Sequence, residues 1–225
     1  MDEASSTQIH AHAGASNRSH CWQDALLAEL RDASVRRAWG PALMAIGWIH
    51  LGSMLICQTL YSKKISTPWV FLLLWTLELA AVLGVMRAIS GRDWIRQSAA
   101  VGLIARVWIT FLILSFNVVS LNNLTGFTVD WFKPVWCSLA SFGFATMAWL
   151  FGSRFLIPAF QMYFTGLLIH RFPQWGYLIH GLSWCVALQY LGNDLIRRRA
   201  RHAQLGQVHG SSAYVSEPEP ATAAA

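Results

Sequence analysis

Residues 69–86 read WVFLLLWTLELAAVLGVM and residues 98–120 read SAAVGLIARVWITFLILSFNVVS, with the basic turn RAISGRDWIR at 87–96 between them. As helices rising about 1.5 Å per residue, both runs are long enough to cross roughly 30 Å of hydrocarbon. Each run carries one charge, Glu78 in the middle of the first and Arg106 near the middle of the second. An ionisable side chain inside a lipid-spanning helix is costly and is retained for a structural or functional reason. This hairpin predicts an all-α, polytopic transmembrane helical bundle and poses the question of function.

The composition agrees with that reading. The 225 residues are 55% hydrophobic and 12% charged, with a mean hydropathy of +0.39, whereas an ordinary soluble domain is roughly 25% charged. The net charge of +6 comes from arginines that flank apolar runs rather than form one face. That pattern argues against nucleic acid as a partner and suits residues that orient a chain in a bilayer. Cys21, Cys57, Cys137 and Cys185 form no CxxC pair, so a zinc site is not expected and the cysteines call for no cofactor. Cys57 and Cys137 fall at similar depth, where a disulfide could form, but buried free thiols are the simpler expectation.

Taken in order, residues 1–21 predict a disordered polar tail without the apolar core of a signal peptide. Residues 22–38 predict an amphipathic interfacial helix, because Trp22, Leu26, Leu30 and Ala33 recur at helical spacing opposite Asp24, Arg31 and Asp32. A six-span domain over 39–196 follows, with spans at about 41–61, 69–86, 98–120, 134–152, 155–170 and 174–192. The fifth is short and contains Pro158, so 155–192 reads either as a full hairpin or as a re-entrant segment. Asn193 and Asp194 read as a helix end with solvated charges. Residues 197–225 predict a basic and then disordered tail.

The basic residues set the expected orientation. With a cytoplasmic N-terminus, the inner flanks hold Arg31, Arg36, Arg37, Arg87, Arg92, Arg96, Arg154, Arg197, Arg198, Arg199 and Arg201, eleven in all, against Lys63, Lys64, Lys133 and Arg171 outside. Both termini are therefore expected in the cytoplasm of a cell with an inner or plasma membrane. Trp39, Trp69, Trp131, Trp136, Trp149 and Trp175 fall at span ends, as an aromatic belt would.

The candidate functional residues follow from depth. The two spans of the opening hairpin should be antiparallel neighbours, so Glu78 and Arg106 are expected to pair. His50 lies at the same level in the first span. Thr110 and Asn117 share a helix face with Arg106, giving one polar stripe that should face protein or water. In the fourth span Ser138, Ser141, Ala145, Ala148 and Gly152 alternate at spacings of three and four, a small-residue stripe that admits a close partner helix. Gly181-Leu-Ser183 echoes a serine-nucleophile motif, but Trp184 replaces its last glycine and no later span supplies a histidine.

Three functional readings come out of these residues. The first is a non-enzymatic membrane component or subunit of a membrane assembly, in contact with the lipid bilayer and with other subunits or further copies of itself, in which Glu78–Arg106 is structural. The second is a small proton-coupled or anion transporter using Glu78, His50 and Arg106. The third is an electron-transfer protein with haem between His50 and His180, since neutral imidazole is a common axial ligand. None of these names a substrate.

Overall fold

The computed structural model describes residues 22–213 except 23, 31, 33–37, 66, 94–97 and 126–128. Among the described residues the chain is all-helical. Six long helices run alternately up and down: α1 (Trp39–Ser62), α2 (Pro68–Ser90), α3 (Ala99–Thr125), α4 (Val129–Phe151), α5 (Leu156–Arg171) and α6 (Gly176–Ala213). Four of them, α1 to α4, are long and apolar enough to cross a membrane. At 16 residues α5 is shorter, and α6 is more polar because it lies at the centre of the bundle and carries His180, Ser183 and Gln189 among its packed positions.

Local sequence explains where the helices stop. Pro68 opens α2 at a position where its missing N–H is harmless. The α2 and α4 helices end at Gly91 and Gly152, whose φ values of 82° and 102° lie in the left-handed region that glycine enters freely. Short 3₁₀ turns at Ser153–Phe155 and Pro173–Trp175 then reverse the chain into α5 and α6.

The helices pack as two pairs joined through α6. Glycines let α1 and α6 approach along most of their length: a Cβ on Gly181 would meet Met54 Cβ at 2.6 Å, and one on Gly192 would meet the Gly40 carbonyl at 2.8 Å. Helices α4 and α5 form the second tight pair. Ser141 Oγ donates to the Ala159 carbonyl at 2.8 Å, and Gly166 brings α5 against Cys137. Of the small-residue stripe in the fourth span, Ser141 is engaged by the chain's own α5, Ala145 and Ala148 are partly or fully buried, and Ser138 and Gly152 are exposed at its ends.

The outer helices differ from the sequence expectation. The α2 helix lies on α1 and α3 lies on α4, while α2 and α3 barely touch despite the short turn between them. Only Met86 and Ser90 of α2 are buried. At the end of the bundle that holds the start of α3 and the end of α4, residues 24–30 form a helix that packs Leu26 against Ala100, Met147 and Phe151. Glu29 Oε2 there accepts from the Ala100 N–H at 3.3 Å, a carboxylate placed on a helix N-terminus.

Three further expectations need correction. The last helix does not end near Gly192 but continues to Ala213; just past Gly192, Asp194 holds Arg198 at 2.8 Å one turn on and Arg154 at 3.5 Å across the bundle. Hence Asp194 is a cross-link rather than a solvated helix end, and 206–213 are helical. Lys133 is not a surface charge. It is 2% exposed, with its ammonium 4.1 Å from the Tyr61 ring centroid and 4.5 Å from that of Tyr177, and it donates to the Pro173 carbonyl at 3.4 Å. Trp69, Trp149 and Trp175 are exposed as an interfacial belt requires, but Trp136 turns inward against Phe132 and Trp75. The Trp131 side chain and residues 1–21 and 214–225 lie outside the described residues.

Candidate functional site

Midway along α1 and α2, His50 Nδ1 and Glu78 Oε1 lie 2.5 Å apart, with side chains 16% and 13% exposed. Glu78 sits on the strip of α2 that packs on α1 together with Phe71, Leu74 and Trp75, so its carboxylate is aimed at α1 rather than at α3. The expected Glu78–Arg106 pair is therefore not formed. Arg106 lies two residues from Trp108, about 200° round a helix. Since Trp108 faces Phe144 and Trp184 in the core, Arg106 is turned away from it and is exposed. Thr110 and Asn117 are exposed on the same face. Thr110 Oγ1 donates only to the Arg106 carbonyl of its own helix, at 3.0 Å.

The polar line continues inward from His50. Its ring meets the His180 ring edge to face at a centroid distance of 5.5 Å and the Trp184 ring at 5.7 Å. His180, fully enclosed on α6, has its Nδ1 at 3.2 Å from Cys137 Sγ on α4. Glu78, His50, His180 and Cys137 thus form a row that crosses the bundle from α2 to α4. Trp136 closes over it at 5.9 Å from His180. Within this row His50 Nε2 is buried without a hydrogen-bond partner.

The geometry bears on the cofactor readings. A haem held by His50 and His180 would need both nitrogens aimed at one iron with a porphyrin plane between them. Here the rings are in edge contact and Trp184 and Trp136 fill the flanks. Among the described residues no three His, Cys, Asp or Glu side chains are arranged to hold a metal ion. Cys57, Cys137 and Cys185 are free, buried thiols. Ser183 accepts from Gln161 Nε2 at 3.1 Å and bonds Thr165 Oγ1 at 2.7 Å, which is interhelical glue rather than a poised nucleophile. A surface hollow of about 570 Å³ lies on α5, lined by Gln161, Phe164, Thr165 and Arg171, and does not touch this row.

Sequence reasoning missed the His180–Cys137 contact and the aromatic box round Lys133. The same depth count that aligned His50 with Glu78 puts Cys137 and His180 towards the same end of the bundle, but only helix rotation decides that they meet. No protein-family profile matches this chain, and neither a curated protein nor a solved structure is similar to it.

Proposed function

We propose that this chain is a non-enzymatic, multi-pass component of a membrane assembly, crossing an inner or plasma membrane six times with both termini in the cytoplasm. The observation that carries the reading is the outward face of α3, where Arg106, Thr110 and Asn117 are exposed on one side of a helix otherwise apolar enough to span. An arginine near the middle of such a helix costs about 2.5–3.5 kcal/mol in lipid. A neighbouring subunit that supplies acceptors removes that cost. The sparse burial of α2 supports the same view. The more polar α6 can cross because α1 packs along it, and the exposed apolar face of α5 suits contact with lipid. The distribution of arginine and lysine supports cytoplasmic termini.

The test is the size of the particle extracted in mild detergent from its native membrane. Replacing Arg106, Thr110 and Asn117 together by leucine should convert a larger complex into the lone chain. An extracted wild-type protein that already runs as a single chain sinks the proposal.

A further inference from the structure

One face of α5 carries an open-sided groove of about 570 Å³. Gln161 and the buried Thr165 form its floor, the exposed side chains of Phe164, Leu167 and Leu168 its wall, and Arg171 one end. The floor is less polar than its residue types suggest. Gln161 Nε2 donates to the carbonyl and to the hydroxyl of Ser183, at 2.8 and 3.1 Å. Thr165 Oγ1 donates to the Gln161 carbonyl at 2.8 Å. Both side chains spend their donors inside the bundle, so the floor has no free side-chain donor to replace the water bonds of a polar ligand. An apolar chain loses nothing there.

The depth and the charge of the groove narrow the kind of chain. Arg171 is the last residue of α5 and is exposed, and the exposed Trp175 follows it as an interfacial aromatic residue does. Gln161 lies ten residues before Arg171, about 15 Å at the helical rise. That is half of a hydrocarbon layer roughly 30 Å thick, so the groove runs the depth of one leaflet, from headgroup level towards the midplane. Among the described residues no carboxylate lies at this end of the bundle, where Lys63 and Lys64 are also exposed. A guanidinium in that position can grip a phosphate through two parallel N–H bonds.

We propose that the groove holds one acyl chain of an anionic phospholipid, with the lipid phosphate on Arg171. The wall and floor take the chain, and the guanidinium takes the charge. A zwitterionic lipid brings the same chain and phosphate together with an ammonium, which the cations at this end repel, so the site prefers the anionic headgroup. The inference rests on α5 crossing the membrane, as in the reading above, and not on a partner subunit.

Native mass spectrometry of the full chain, released from mild detergent with added phosphatidylglycerol or phosphatidylcholine of equal chain length, tests it. The wild type should hold phosphatidylglycerol at least about tenfold more tightly, the scale of one charge-assisted hydrogen bond. Arg171→Gln should remove most of that preference. Leu168→Trp, which narrows the groove, should weaken the binding of both lipids. Lys63→Gln with Lys64→Gln, at the same end but off the groove, should leave the preference in place. Equal binding of the two lipids by the wild type overturns the site, and so does a double lysine variant that loses the preference as fully as Arg171→Gln. A Phe160→Cys variant in nanodiscs checks the crossing of α5 separately, since Phe160 is exposed on α5 and does not line the groove. Labelling by a membrane-impermeant maleimide beyond that of the wild type puts α5 in water and sinks both readings. A shielded cysteine in a protein without lipid preference sinks this inference alone.

Discussion

Gly40 on α1 and Gly192 on α6 face each other so closely that a Cβ on either would stand 2.7–2.8 Å from the other's carbonyl oxygen. Backbone cannot yield as a flexible side chain can, so this crossing point fixes how near the two helices come. Gly192→Ala is expected to destabilise the bundle by about 1–3 kcal/mol, the usual range for overpacking. Gly52→Ala, on the same α1 with open space around it, should be neutral or slightly stabilising. Reversible unfolding in mixed micelles compares the two, and equal effects would show that the close approach is not decisive.

The Glu78–His50 bond should appear in a double-mutant cycle. His50→Leu alone leaves a buried carboxylate without its partner and is expected to cost about 3–5 kcal/mol, while His50→Leu with Glu78→Leu should recover most of it. Arg106→Leu should add to either single change without coupling, since Arg106 lies on another face of another helix. Coupling of Glu78 to Arg106 in the same unfolding measurement would contradict the observed pairing.

Lys133 tests the aromatic box. Tyr177→Leu removes one of two rings over the ammonium and should cost about 2 kcal/mol, the strength of a desolvated cation–π contact. Lys133→Met, which removes the charge and keeps the length, should be milder because it leaves no buried ion behind. The order of the two melting temperatures is the readout.

On α4, Ser141→Leu should wedge α5 away, because Ser141 Oγ bonds the Ala159 carbonyl at 2.8 Å and leucine fits neither the space nor the bond. Ser138→Leu, three residues earlier and exposed, should be tolerated. Proteolysis of the folded protein in detergent distinguishes them: accelerated cleavage is expected only for the first.

The small-residue pattern from Ser138 to Gly152 led to the expectation of a close partner helix but did not say which helix would meet it. Ser141 and Gly166 needed the tertiary structure to find each other. The same limit applies to Glu78. Depth counting put His50, Glu78 and Arg106 at one level, yet rotation about the helix axis decides which of two candidates at equal depth a side chain meets. A short turn suggested that α2 and α3 would pack together. Instead α2 settles on α1 and α3 on α4, where Phe71, Trp75 and Trp108 find aromatic partners.

The sequence by itself determined the class of this protein, since long apolar runs bounded by arginine, lysine, proline and glycine leave helices long and apolar enough to cross a membrane as the way to satisfy the backbone. It also determined which residues are chemically unusual for their depth. Only the tertiary structure decided the pairing, the inward turn of Trp136 and Lys133, and the outward turn of Arg106. Those depend on helix rotation and on which neighbours interlock, and an apolar surface of nearly uniform hydrophobicity carries little record of either.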